Sequence, residues 1–220
     1  IGFNSGKDNQ GVDATAIGLS AGQVTQGESA TAVGVNAGTY SQGAGSMALG
    51  SNAGTTSQGV QAVAIGSNAA TSGQLTQAVA IGVKAGEFGQ GSQAVAIGFE
   101  AGAVNQNNTA LAIGFSAGRL NQNVSSLSMG YEAGMENQNS FSAAIGYQAG
   151  RISQDRFSMA LGYRAGFSGQ GETALSIGYE SGKTTQGESA TAVGYQAGYQ
   201  SQNSFSTAIG FEAGKDYQNT

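Results

Sequence analysis

The chain has 220 residues, of which 38 are glycine, and it contains no histidine, cysteine, proline or tryptophan. Without cysteine there is no disulfide or thiolate chemistry, and without histidine the commonest general base and metal ligand are missing. A net charge of −5 opposes binding to nucleic acid, which needs clustered lysine and arginine, and no apolar run is long enough to span a bilayer.

An aliphatic residue or methionine followed by glycine recurs every sixteen residues without insertion, from Ile1-Gly2 to Ile209-Gly210. With that first residue as position 1, glycine fills position 2 in all fourteen repeats and position 6 in thirteen, the exception being Ala70. Such self-similarity is the mark of a repeat protein. It predicts one continuous repeat region over residues 1–220. Because Ile1 begins in mid-strand, we expect this region to be a segment of a longer fibre protein.

Each repeat predicts two strands and two turns. The first strand covers positions 13 to 3, as in Gln93–Phe99, where Val95, Ile97 and Phe99 alternate with alanine and glycine. A turn near the glycine of position 6 follows, and a weaker strand runs over positions 7 to 10. Position 11 is mostly Gly or Asn, which predicts a left-handed backbone there.

Stacking of these repeats predicts an all-β fold, a parallel β-solenoid (β-roll or β-helix) of about fourteen sixteen-residue coils. Each strand then pairs in register with its copy in the next coil, at a spacing of ~4.8 Å. The fold leaves one small face of alanine and glycine, which suits close approach either across a thin core or to a neighbouring chain.

The charged residues are confined to six of the sixteen positions. All 21 Asp, Glu, Lys and Arg lie at positions 4, 7, 8, 11, 12 and 13. We therefore expect those six columns to face water. Arg156 over Glu172, and Arg164 over Glu180, are predicted to form weak pairs between coils.

Glutamine fills position 10 of every repeat. In a stacked fold its amide donates to one neighbour and accepts from the other, so the column is predicted to be a structural amide ladder. Its members are Gln10, Gln26, Gln42, Gln58, Gln74, Gln90, Gln106, Gln122, Gln138, Gln154, Gln170, Gln186, Gln202 and Gln218.

Position 3 becomes aromatic in the second half of the chain. This column is predicted to pack against a partner chain or to close the core, and as an alternative to grip a receptor. It comprises Phe99, Phe115, Tyr131, Tyr147, Tyr163, Tyr179, Tyr195 and Phe211.

Short strings carry a resemblance to a known family. Ala-Val-Ala-Ile-Gly at 78–82 and 94–98, and Ala-Thr-Ala-Val-Gly at 30–34 and 190–194, resemble the head repeats of trimeric autotransporter adhesins. Similar repeats occur in surface-fibre proteins of phages and giant viruses. The resemblance implies a left-handed parallel β-roll assembled from three chains.

The expected function is a structural or adhesive surface fibre, extracellular, on a cell or a virion. A regular ladder has no cleft in which catalytic groups converge, so no enzyme activity, metal or cofactor is expected. The expected partner is the chain itself, as a homo-oligomer or an end-to-end filament. The alternatives are a module that binds a host-surface glycan or receptor through its aromatic edge and, with less support, an ice-binding protein, since the threonines at position 15 (Thr15, Thr31, Thr191 and Thr207) do not form a continuous ladder.

Overall fold

A computed structural model of the chain describes residues 1–216. The chain divides into two compact units, Ile1–Ala110 and Leu111–Thr220, and the second is described as far as residue 216. Both units are built only from three-residue strands and turns. The described residues contain no helix that is long and apolar enough to cross a membrane.

In the first unit, two parallel sheets are formed by alternate strands of the chain. The odd-numbered strands are β1 (Asp8–Gln10), β3 (Val24–Gln26), β5 (Tyr40–Gln42), β7 (Thr56–Gln58), β9 (Ser72–Gln74), β11 (Phe88–Gln90) and β13 (Val104–Gln106). The even-numbered strands are β2 (Thr15–Ile17), β4 (Thr31–Val33), β6 (Met47–Leu49), β8 (Val63–Ile65), β10 (Val79–Ile81) and β12 (Val95–Ile97).

The second unit has the same construction. One sheet contains β14 (Leu111–Ile113), β16 (Leu127–Met129), β18 (Ala143–Ile145), β20 (Met159–Leu161), β22 (Leu175–Ile177), β24 (Thr191–Val193) and β26 (Thr207–Ile209). The other contains β15 (Leu120–Gln122), β17 (Glu136–Gln138), β19 (Ile152–Gln154), β21 (Ser168–Gln170), β23 (Thr184–Gln186) and β25 (Gln200–Gln202).

Within each unit, every strand pairs in register with the strand sixteen residues away, as Val79 does with Val95 and Ile81 with Ile97. The prediction of an all-β parallel β-solenoid with sixteen-residue coils is therefore confirmed. The first strand is shorter than predicted and covers positions 15 to 1 only. The reason is that positions 2–5 and 11–14 form turns, closed for example by bonds from the Ala53 N–H to the Gly50 oxygen and from the Ser46 N–H to the Gly43 oxygen.

The core of each coil is made of small side chains and one amide. Positions 5, 14 and 16 are alanine or serine and are almost fully buried, as at Ala85, Ala94 and Ala96. The small face therefore forms the core of its own chain, and the larger aliphatic and aromatic side chains point outward. Such a thin core brings the two sheets close enough for the position 10 glutamine to reach across.

The turns depend on left-handed residues, though not where the sequence predicts them. Positions 4, 9 and 13 have positive φ in ordinary residues, such as +56° at Asn52, +55° at Asn137 and +62° at Phe141. The prediction of a left-handed position 11 is wrong, because Gly27 is not among the positive-φ residues. Glycine is required at residue 27 because there is no room for a side chain: a β-carbon there would lie 2.5 Å from the backbone nitrogen of Ala44.

Candidate interaction surface and its supporting ladders

The position 10 glutamines lie inside the coils and hold the two sheets together. Gln154 is fully buried, and its Nε2 donates to the backbone oxygen of Ala143 at 3.0 Å. The same Nε2 donates to the Oε1 of Gln170 at 2.9 Å, and the Oε1 of Gln154 accepts from the Nε2 of Gln138 at 3.1 Å. This one side chain therefore makes hydrogen bonds to the opposite sheet and to the glutamines of both neighbouring coils.

This amide pattern has a single direction. From Gln58 to Gln106, and again from Gln122 to Gln202, each described bond runs from a Nε2 to the Oε1 of the next coil toward the C-terminus. Where serine replaces alanine at position 16, its hydroxyl fills the second lone pair of that oxygen, as Ser128 does for Gln138 at 2.6 Å.

The N-terminal part of the glutamine column differs from the rest. The Oε1 atoms of Gln26, Gln42 and Gln58 are buried and have no hydrogen-bond partner within residues 1–216. Gln10 is exposed, and its Nε2 donates to the backbone oxygen of Ala14 at 3.0 Å. Gln218 lies outside the described residues.

The aromatic column of position 3 lies on the outside of the solenoid. Phe99 belongs to the first unit and the other seven rings to the second. From Phe115 to Phe211, successive ring centroids are 4.9–5.2 Å apart and the planes differ by 6–8°. The tyrosines are 41–44% exposed. The interpretation that this column closes the core of its own chain is wrong, because the glutamines and alanines fill that core; packing against a partner stays a prediction.

The side chains of positions 15 and 1 also point outward, beside the column of position 3. We call the outward side chains of positions 15, 1 and 3 together the apolar stripe. Met47 and Leu161 are typical members and are 37% and 39% exposed. Position 2 lies between the columns of positions 1 and 3 and has no side chain. In each unit the stripe is ~30 Å long over six coils and ~13 Å wide. A contiguous exposed patch that is rich in apolar side chains is often a functional surface.

A polar network lies beside the stripe at positions 4 and 7. Glu180 accepts from Lys183 Nζ at 2.7 Å and from Gln196 Nε2 at 3.0 Å, and Arg164 Nη1 lies 3.5 Å from its Oε1. Glu180 is only 7% exposed, so the prediction that every charged column faces water is wrong at this position. The sequence indicates this pair, because Glu180 and Lys183 have opposite charges and lie three residues apart on either side of the position 6 turn. Glu212 and Lys215 have the same arrangement, with 2.7 Å between the Lys215 Nζ and the Glu212 Oε1.

The electrostatics of this network follow from burial and hydrogen bonding. Burial raises the pKa of Glu180, but hydrogen bonds from Lys183 and Gln196 and the nearby charges outweigh that effect, and the net pKa is lowered from 4.5. Burial lowers the pKa of Lys183, and its bonds to Glu180 and to the Tyr199 hydroxyl more than reverse this, so that the pKa is raised. Both shifts favour the charged pair.

We expect Glu180→Gln to lower the free energy of unfolding by about 1 kcal/mol above pH 5. Because the pKa of Glu180 is lowered in the folded state, its contribution is fully present above 4.5 and is lost as the pH falls through the folded value. The difference between wild type and variant in urea unfolding should therefore shrink as the pH falls below 4.5. Glu212→Gln is the control, since its ion pair has the same length but is 36–38% exposed. An equal effect at both positions would contradict the role of burial.

Not every predicted ion pair forms. Arg164 meets Glu180 as predicted, but no bond between Arg156 and Glu172 is present in the described structure, where the Arg156 guanidinium lies 5.1 Å from the Phe157 ring centroid. Stacking on an adjacent exposed ring replaces the pair. Residues 1–216 also contain no group of three or more Asp or Glu side chains suited to hold a metal ion.

Part of the chain matches a known protein family. Residues 26–53, 41–69 and 57–85 match the family described as the YadA head domain repeat, in two copies. The matched stretch, 26–85, lies within the first unit and is about a quarter of the chain. The resemblance to head repeats of trimeric autotransporter adhesins is thereby confirmed, and it indicates an adhesin-type function. No curated protein and no solved structure matches the chain.

Proposed function

We propose that this chain is a segment of an adhesive surface fibre, and that it assembles as a homotrimer whose chains meet through the apolar stripe. The observation that carries the proposal is the stripe itself, in which aliphatic side chains such as Ile17 and Ile97 are exposed to solvent. The sixteen-residue phase of the sequence runs without interruption through residues 110 and 111, which supports a single repeat region over residues 1–220.

A second copy of the chain is the partner that fits this surface best. The stripe repeats every coil at ~4.8 Å, so side chains of a partner interlock along its whole length only if that partner has the same period. A globular protein lacks such a period. The side-chain-free column of position 2 lets the partner approach closely. Repetition then gives the fibre its length and presents identical outer surfaces many times, which favours multivalent attachment.

Recognition of glycans by the aromatic column has less support. Sugars stack on the faces of aromatic rings, but along the tyrosine column each ring face is covered by a neighbour about 5 Å away. Only ring edges and hydroxyls are presented outward. A receptor contact through this column would therefore be with the phenol edges. If the double variant Tyr147→Ser and Tyr163→Ser loses attachment but still assembles, the column binds a receptor. If the double variant no longer assembles, the column packs against a partner chain.

Assembly is tested by placing a charge in the stripe. We expect the double variant Ile81→Lys and Ile145→Lys to lower the mass in sedimentation equilibrium from three chains to one chain of 21.8 kDa, because lysine cannot be buried unpaired between chains. The control is Thr76→Lys, an exposed residue at position 12, where Arg156 and Glu172 already occur. Circular dichroism should show strand signal in all three proteins. A wild-type chain that stays monomeric at micromolar concentration would contradict the proposal.

A further inference from the structure

The five tyrosines of the aromatic column form an uninterrupted run. Tyr131, Tyr147, Tyr163, Tyr179 and Tyr195 are separated by 4.9–5.1 Å between ring centroids, and phenylalanine stacks on both ends of the run. In-register pairing holds equivalent atoms of neighbouring rings at nearly this same separation. The rings are 41–44% exposed, so their hydroxyl edges can reach solvent and the rings have room to tilt. The fold thus holds four adjacent pairs of phenols in a fixed arrangement.

We propose that this run is a site of oxidative cross-linking, in which neighbouring tyrosines of one chain couple into dityrosine under a one-electron oxidant such as a haem peroxidase with hydrogen peroxide. Each bond would join one coil covalently to the next. The reacting rings belong to a single chain, so the coupling is expected in the unassembled chain, whose tyrosine column no partner chain covers.

The chemistry balances as follows for each cross-link. Two phenols each lose one electron and one proton and become phenoxyl radicals. The radicals combine through one ring carbon of each, ortho to the oxygen, and a new C–C bond forms. The two hydrogens on those carbons move to the two oxygens, which restores both aromatic rings. One hydrogen peroxide accepts the two electrons and two protons and becomes two waters, and the protein has lost two hydrogen atoms.

Proximity makes this coupling faster than coupling between separate molecules. A radical on Tyr163 has a phenol 5.1 Å away on one side and 4.9 Å away on the other. Holding reactants together in this way replaces a bimolecular encounter with an intramolecular one. By contrast, Tyr40 lies at position 8, outside the column, and Tyr199 is engaged by Lys183 at 2.7 Å.

Two double variants of identical composition test the proposal. Tyr147→Phe with Tyr179→Phe leaves three column tyrosines but no adjacent pair, whereas Tyr131→Phe with Tyr195→Phe leaves three tyrosines and two adjacent pairs. Phenylalanine preserves the ring stack in both, as the native phenylalanine rings at its ends do. The remaining tyrosines are the same in both proteins and contribute equally.

After oxidation with peroxidase and hydrogen peroxide, dityrosine is measured by its fluorescence, and cross-linked peptides are identified by mass spectrometry. We expect about half the wild-type yield from the variant with two adjacent pairs, because wild type has four, and none above background from the variant with none. The wild-type product should contain Tyr147 joined to Tyr163. Equal yields from the two variants, or only cross-links between chains on a denaturing gel, would overturn the proposal.

Discussion

The substitution Gln154→Glu should destabilise the second unit by about 3–5 kcal/mol at pH 7, the range expected when a buried charge is left without a partner. The Nε2 of Gln154 donates to the oxygens of Ala143 and Gln170, at 3.0 and 2.9 Å. A carboxylate places a second acceptor oxygen against those two acceptors. Glutamate has nearly the same shape as glutamine, so loss of stability would report the hydrogen bonds and the charge rather than a cavity.

The pH dependence identifies the cause. Burial raises the pKa of the introduced carboxyl above its unfolded value of ~4.3, so its penalty is absent below that value and grows as the pH rises toward the folded pKa. A protonated carboxyl also regains one donor. The variant should therefore approach wild-type stability near pH 4 in urea unfolding. Gln10→Glu, in the same column but exposed, is the control and should change stability little. A loss at Gln154 that does not vary with pH would contradict this explanation.

Gly146→Ala should cost about 3–5 kcal/mol, the sum of backbone strain and overpacking. Gly146 has φ of +128°, a conformation that side chains rarely adopt. A β-carbon added there would overlap the carbonyl oxygen of Gly162 in the next coil. The overlapping atom is backbone and is fixed by the sheet, so the coil cannot relax around it.

Gly73→Ala provides the comparison. Its φ is +73°, and the nearest atom to an added β-carbon, the Gly89 Cα, is 3.6 Å away. Other coils already place Asn137 or Thr25 at this position with positive φ. We expect a loss of about 1–2 kcal/mol in thermal unfolding, the cost of a β-carbon in the left-handed region. Equal losses at Gly73 and Gly146 would mean that close contact between coils is not what requires glycine at position 2.

The sixteen-residue period made the architecture predictable, because two glycines and one glutamine recur at fixed places and set the coil length. The small face was recognisable from alanines such as Ala80 and Ala96, but the sequence left open whether that face packs in the core or against a neighbouring chain. The left-handed positions could not be predicted from residue type, since Asn52, Ser57 and Phe141 share no chemical type: the turn geometry imposes φ on whichever residue occurs there. Their local preferences are overridden by the hydrogen bonds between coils.

The burial of the polar network could not be predicted from the sequence, for a different reason. Charged residues occur at position 4 in several repeats, but the exposure of each depends on its neighbours in the adjacent coils. Lys183 and Gln196 cover Glu180, whereas Lys84 remains 41% exposed on its side chain beside Glu100. Burial in a solenoid is a property of three consecutive coils, and a single column does not contain that information.

Backbone hydrogen bonds between neighbouring coils join residues only 15 or 17 apart, as from the Gly6 N–H to Ala21 and from the Gly18 N–H to Ile1. The sequence separation of contacts is therefore constant however many repeats the chain contains. The loop-closure entropy of each added coil is the same, so folding can nucleate in any pair of neighbouring coils and propagate outward. Gene duplication of a repeat can lengthen such a protein without slowing its folding, which is how a very long chain of this type would still reach its native state.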